Sequence, residues 1–290
     1  MDDKDFLARQ FDQHRSRLHA VAYRMLGSPV EADDALQDVW LRLNRSDADA
    51  IDNLGAWLTT VTARVCLNAL RSRNRKREDP LDMHVPDPVI QPWSSVDPAD
   101  DAVLADSVGL ALLVVLDTLA PAERLAFVLH DMFGVPFDEI APMVERTPEA
   151  TRQLASRARR RVHGATVPDA DLNRQREVVE AFFAAARGGD FETLVSVLDP
   201  EVVLRSDGGS KLPRASAFVR GAAEVAGRAI TFRQPSASLE TALVNGAAGV
   251  VVRRRGRVFT VMAFTVANDK IVAIDVLADP ERLATLDLPA

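Results

Sequence analysis

Residues 137–162 read FDEIAPMVERTPEATRQLASRARRRV, and this stretch decides the architecture of the middle of the chain. Phe137 to Val144 is largely apolar and reads as a short helix. Arg146-Thr147-Pro148 reads as a turn, because threonine caps helices well and proline is best tolerated at the first helical position. The helix so begun places Leu154, Ala158 and Val162 four residues apart on an inward face. Arg152, Ser156 and Arg159 fall on a different face, flanked by Gln153, Arg157 and Arg160. Arginine and short polar side chains on one face suit a helix entering the major groove, where they reach base edges and phosphates. Upstream, Glu123 to Met132 reads as a partner helix broken at Gly134. Together these make a helix-turn-helix; a helical hairpin with a charged surface fits the same residues, and Pro142 makes the middle helix irregular.

Toward the N-terminus a second basic helix runs from Ala56 to about Arg75. Leu58, Val61, Val65 and Ala69 form its expected core face, while Arg64, Asn68, Arg71 and Arg75 share another, extended by Arg73, Lys76 and Arg77. That stripe suits nucleic acid, and a solvated basic face explains it equally well. Trp57 reads as a core anchor. Before it, Phe6 to Leu26 is apolar at helical spacing and is ended by Gly27-Ser28-Pro29. Glu31 to Leu43 is a further helix, with Glu31, Asp33 and Asp34 in its first turn to complement the helix dipole. Asn44 to Asn53 is a polar loop.

The expected organisation is 1–78, a helical domain; 79–102, a linker; 103–163, the helix-turn-helix domain; 164–173, a second linker; and 174–290, a third domain. Residues 79–102 carry five prolines among aspartates and serines, so they cannot hold a helix. Val103 to Leu119 reads as one helix, and Pro121 opens the next. From Arg174 the period changes: one helix to about Arg187, then β-rich runs at Val202–Leu204, Ala248–Arg253, Val258–Val266 and Ile271–Val276, with turns at Gly246 and Asn268-Asp269. This half is expected to be α+β with an antiparallel sheet.

Composition narrows the class. The chain has 290 residues, 47% of them hydrophobic and 27% charged, as in a soluble multidomain protein. No run approaches the roughly 18 apolar residues that span a membrane, and the acidic Met1 to Asp5 is no secretion signal. One cysteine, Cys66, excludes an intramolecular disulfide and fits a cytoplasmic location, where its apolar surroundings make it a buried filler. Net charge is −7, yet arginine clusters at 64–77 and 146–161. The preference for arginine over lysine suits phosphates and guanine edges, and a GC-rich genome also produces it.

Three segments carry a resemblance to a known family. Residues Glu31 to Leu43 (EADDALQDVWLRL) are similar to the region 2 helix by which extracytoplasmic-function sigma factors of the sigma-70 family grip the polymerase clamp. Ala56 through Arg71 resembles their helix that melts and reads the −10 element, with Val65 where the family usually has asparagine. Arg146 to Arg161 resembles their region 4 helix that reads the −35 element. The C-terminal half resembles a SnoaL-like domain of the cone-shaped NTF2-like fold, which one subgroup of these factors carries. There Asp207-Gly208-Gly209-Ser210-Lys211 is similar to the subgroup's Asp-Gly-Gly-Gly-Lys, and Asp279-Pro280-Glu281-Arg282-Leu283 to its Asn-Pro-Asp-Lys-Leu. The subgroup's Trp-Leu-Pro-Glu-Pro linker motif is absent as such; Pro86-Asp87-Pro88 and Pro92-Trp93 take its place.

The resemblance implies two all-α sigma domains followed by an α+β cone. It implies that the chain binds core RNA polymerase through Asp34, Gln37 and Asp38. It places −10 contacts on Arg64, Asn68, Arg71, Arg73 and Arg75, and −35 contacts on Arg152, Gln153, Ser156, Arg157, Arg159 and Arg160. The regulatory motif is Asp207, Gly208, Gly209 and Lys211 with Asp279, Pro280, Arg282 and Leu283, the glycines forming an exposed docking turn. No catalytic residue, cofactor or metal is expected: no histidine follows His163, and Asp207 sits in a turn. A small-molecule ligand in the cone is compatible with the fold; the preferred reading is a built-in regulator contacting the sigma domains or polymerase. The competing class is a ligand-responsive helix-turn-helix repressor, which would dimerise on palindromic DNA and leaves the first domain without a role.

Overall fold

A computed structural model describes residues 3–46, 51–76, 83–93, 109–163, 168–231 and 237–288. The chain divides into two compact units, one of residues 1–78 with 115–164 and the other of residues 79–114 with 165–290.

The first unit is helical. Helices α1 (Asp3–Leu26), α2 (Pro29–Leu43) and α3 (Leu54–Lys76) pack around Leu18, Val21, Met25, Leu36, Val39, Leu43, Leu58 and Leu67, each 3% exposed or less. Gly27, at φ 74°, ends α1. The Ser28 hydroxyl then accepts the Glu31 amide, and Pro29 occupies the first position of α2, two residues before the expected start. The phase of α3 differs in part from expectation: Leu58 and Val65 are buried as expected, Val61 is half-buried and Ala69 exposed, and Thr62, Ala63, Cys66, Leu67 and Leu70 complete the core face. The small Thr62 and Ala63 allow close approach, which a count of large apolar residues misses.

After α4 (Leu110–Asp117) come α5 (Pro121–Phe127), a π-helical turn (Val128–Met132), α6 (Phe137–Val144) and α7 (Pro148–Val162). The expected continuous helix to Met132 therefore widens into a π-turn before Gly134, at φ 70°, reverses the chain. Residues 103–108 of the expected Val103–Leu119 helix lie outside the described residues. Pro142 costs α6 little, because a helix of eight residues has few internal hydrogen bonds to lose.

The second unit is α+β. Helices α8 (Leu172–Gly188), α9 (Phe191–Val197) and α10 (Ala222–Thr231) pack with a curved sheet of strands β1 (Ile90–Pro92), β2 (Leu198–Asp207), β3 (Ala217–Arg220), β4 (Ala237–Val244), β5 (Ala247–Arg254), β6 (Arg257–Ala267) and β7 (Lys270–Leu277). The order is β1-β4-β5-β6-β7-β2-β3. The sheet is mixed rather than wholly antiparallel, since β2 runs parallel to β7 while the other pairs are antiparallel. Phe182, Leu194, Leu204, Val225, Val250, Phe264 and Ile274 fill the space between helices and sheet. A short helix α11 (Pro280–Leu283) follows β7.

Candidate nucleic-acid interface and linker site

On α7 the Thr147 hydroxyl accepts the Ala150 amide at 3.2 Å, so the cap forms as its residues predict. The buried stripe is Thr151, Ala155 and Ala158, with Leu154 and Val162 only half-buried. Arg152, Gln153, Ser156, Arg157 and Arg160 are exposed together. Arg152 lies over the Phe137 ring at 5.3 Å, which steadies it without removing its charge. Arg159 is different: it is half-buried and bonded to Asp131, where it braces the helix against the π-turn. Arg161 braces it likewise through Glu123 at 3.5 Å.

On α3, Arg64, Asn68 and Arg71 are exposed on one face. Arg73 points elsewhere: it pairs with Glu31 and donates to the Leu26 carbonyl at 3.0 Å, tying α3 to α2. The side chain of Arg75 lies outside the described residues. On α2, Asp34, Gln37 and Asp38 are exposed side by side, with Leu41, 45% exposed, one turn further along the same face. Leu41 escaped the sequence reading because an exposed leucine looks like core until helix phase is known. Beside this face a groove of about 380 Å³ is lined by Phe11, Asp12, Asp33 and Trp40.

Helices of the two readers meet within the first unit. Arg124 on α5 is 1% exposed; its Nε donates to the Arg24 carbonyl on α1 at 2.9 Å and its Nη1 to Asp117 at 2.9 Å. Burial lowers the basicity of this guanidinium, and the Asp117 charge opposes that. Its Nη2 is buried with no hydrogen-bond partner among the described residues. Arg17 donates to the Phe133 carbonyl at 3.0 Å, and the Arg24 guanidinium lies 5.1 Å from the Phe133 ring.

In the second unit the two glycine- and proline-containing motifs come together around the linker. Asp207 ends β2, and its Oδ1 accepts the Gly209 amide at 3.0 Å. Its Oδ2 accepts the Val85 amide at 3.1 Å and Arg282 Nη1 at 2.7 Å, and lies 3.1 Å from His84 Nδ1. Arg282 also donates Nε to Asp87 at 2.6 Å and Nη2 to the Val85 carbonyl. Burial opposes ionisation of Asp207, but the His84 hydrogen bond, the Arg282 charge and the Val85 amide outweigh it and hold the carboxyl well below the usual range. Asp279 caps α11 through Oδ1, which accepts the Glu281 amide at 2.9 Å. Gly209 has φ 59°, and a Cβ there would sit 1.9 Å from Asp279 Oδ2, so only glycine lets the two motifs close. Leu283 is buried, Pro280 exposed, and Lys211 pairs at the surface with Glu281 at 3.5 Å.

The turn expected to be exposed is so only at Ser210 and Lys211: Asp207 and Gly208 are buried, and Asp207 closes on His84 and Val85 of the chain itself. The linker continues as β1, with Ile90 opposite Val244 on β4. Val89 donates to Asn245 Oδ1 at 3.0 Å, and the Asn245 amide returns a bond to the Val89 carbonyl at 2.8 Å. Trp93 packs at the edge of the interior cluster with the Arg176 guanidinium 5.4 Å from its ring.

Two arginine-faced helical readers, with the connection between them held by an α+β cone, define a multidomain DNA-reading factor. A Sigma-70 region 2 family model matches residues 10–76 and a Sigma-70, region 4 model matches residues 109–162. The chain is 36% identical to the ECF RNA polymerase sigma factor SigJ of Mycobacterium tuberculosis, over 94% of this chain and 92% of that one. It is 35% identical to a probable ECF RNA polymerase sigma factor, SigI, of the same species, over 99% and 98%. The crystal structure of M. tuberculosis SigJ matches at a TM-score of 0.74 and 34% identity, covering 99% of this chain and 100% of that one. The chain belongs to the extracytoplasmic-function sigma factors of the sigma-70 family. Among the described residues no helix is long and apolar enough to cross a membrane, and no group of three or more histidine, cysteine or acidic side chains is placed to hold a metal ion.

Proposed function

We propose that this sigma factor works in the cytoplasm and carries its own restraint, the C-terminal domain holding the linker between the two promoter readers. Core polymerase binds the exposed α2 face of Asp34, Gln37 and Asp38, with Leu41 as its apolar centre. The −10 element is read by Arg64, Asn68 and Arg71, and the −35 element by Arg152, Gln153, Ser156, Arg157 and Arg160. Elements named for those positions lie about 25 base pairs apart, roughly 85 Å at 3.4 Å per pair. Readers in contact through Arg124 and Arg24 cannot span that distance, so the free chain is in a closed state.

The observation that carries the restraint is Arg282 bonding Asp87, Val85 and Asp207 at once. We read the third domain as non-enzymatic. Its core cluster is aliphatic and aromatic, and the buried Asp275 carboxylate is taken up by an ion pair with Arg205 at 3.0 Å. A full-length Arg282→Ala chain tests the proposal against wild type in two assays, co-elution with core RNA polymerase and transcription from a promoter selected with the holoenzyme. The variant is expected to bind core and to transcribe several-fold more. Equal transcription from both chains would show that the linker contact restrains nothing.

A further inference from the structure

The turn between β5 and β6 carries Arg253-Arg254-Arg255-Gly256-Arg257, four arginines in five residues of a chain whose net charge is −7. Arg253 Nε donates to Glu240 at 3.0 Å. Arg254, Arg255 and Arg257 are exposed, and among the described residues none of the three has a carboxylate within ion-pair distance. Arg254 stands directly opposite Arg257 in the ladder. Like charges facing each other across two strands destabilise the pair, so the sheet itself gains nothing from them.

Turn geometry does not ask for them either. Arg255 and Gly256 have φ of 51° and 76°, the two-residue turn with both central residues left-handed. Asparagine is the residue best suited to the first of these positions. The same domain builds two more turns of this kind, Asn245-Gly246 at φ 51° and 75° and Asn268-Asp269 at φ 53° and 60°, and both put asparagine first. The third turn has arginine there instead. Neither an ion pair, nor the ladder, nor the turn accounts for Arg254, Arg255 and Arg257. Guanidinium forks held on a rigid, exposed tip match the spacing and charge of a phosphate backbone.

We propose that the β5–β6 tip is a third DNA contact, gripping the sugar-phosphate backbone of promoter duplex outside the two elements read by α3 and α7, without regard to sequence. This rests on the promoter-binding reading above. Duplex DNA is the favoured polyanion because the readers already hold the chain on it. Tethering raises the effective concentration of a weak extra contact, which an acidic protein otherwise lacks. The contact follows the rule for phosphate neutralisation, about 0.9 in the slope of log affinity against log salt per contact.

The test uses the full-length chain and a triple variant, Arg254→Gln, Arg255→Asn and Arg257→Gln, in which asparagine suits the turn and the like-charge pair is gone. Each chain in complex with core RNA polymerase is bound to a fluorescent promoter duplex selected with the wild-type holoenzyme, and binding is followed by anisotropy from 50 to 200 mM NaCl. The variant slope is expected to be shallower by about 2.7, so that wild-type affinity falls about 40-fold more across that range. Equal slopes, with the variant as stable as wild type, overturn the proposal. So does tighter binding of a 30-nucleotide RNA, or an arginine-dependent attraction confined to phosphatidylglycerol vesicles. Co-elution with core RNA polymerase reports the underlying reading separately: the triple variant retains it if only the tip is affected, and its absence in wild type removes both ideas.

Discussion

Arg282 is where three separated segments meet: the linker, the end of β2 and the helix after β7. Its three donors go to Asp87, Asp207 and the Val85 carbonyl, so neither a single charge nor a single hydrogen bond replaces it. Arg282→Ala is expected to strip protection from the Val85 amide in hydrogen exchange, because the Asp207 carboxylate that accepts it loses its counter-charge. Arg282→Lys should fail to restore it, since an ammonium cannot make the same fork. Glycine contrasts sharpen the argument. Gly209→Ala meets both a left-handed backbone and Asp279, whereas Gly134→Ala at φ 70° meets open space. The first should cost about 1–3 kcal/mol and the second about 1 kcal/mol, read as a difference in Tm. The pH dependence has a definite sign. Asp207 titrates lower in the folded chain than its ordinary 3.8, so its contribution is fully present above about pH 4 and is lost only as the solution becomes more acidic. Val85 protection that decays between pH 7 and 5 would contradict this assignment.

Among the elements, α7 separates reading from bracing. Arg157 is exposed, while Arg159 is bound to Asp131. Arg157→Ala should leave Tm unchanged and reduce the salt slope of promoter binding by about 0.9. Arg159→Ala should lower Tm by loosening α7 from the π-turn, with a smaller change in slope. A measurement that assigns both residues the same behaviour would erase the distinction. This helix was largely legible, because its start depends on adjacent residues: Thr147 and Pro148 declare a helix end wherever they fall. The phase was legible less well, since Leu154 is the larger side chain but Ala155 faces the core. Strand β1 was not legible at all. Three residues ending in proline pair only because β4 offers an open edge 154 residues later, where Ile90 meets Val244. The capture of Asp87 by Arg282 spans 195 residues and belongs to the same class of contact, set by the fold rather than by local pattern. The motifs that make it were visible as resemblance, but their partner was not.

At the scale of the whole molecule, function requires the two readers to part. The closed first unit contains a group that favours this: Arg124 is buried, its Nη2 has no hydrogen-bond partner among the described residues, and a donor left unmet in an interior costs about 1–3 kcal/mol. Opening lets water satisfy that donor, while the α2 face proposed to meet polymerase is exposed already in the closed unit. Closure is therefore poised rather than locked, and a partner that binds the separated readers can tip it. Cys66 makes the change measurable. It is buried, and burial pushes its thiol up to about 12, so maleimide dyes will pass it over and label cysteines introduced at the surface. Arg45→Cys in the first reader and Arg146→Cys in the second, both at exposed positions, give one dye pair across the Arg124 contact. Energy transfer is expected to be high in the free chain and to fall when core RNA polymerase is added, with Arg282→Ala shifting the core titration to lower polymerase concentration. Transfer that stays high in a chain shown by co-elution to be bound would mean that the readers remain together on the enzyme, and the closed contact would then be part of the working state.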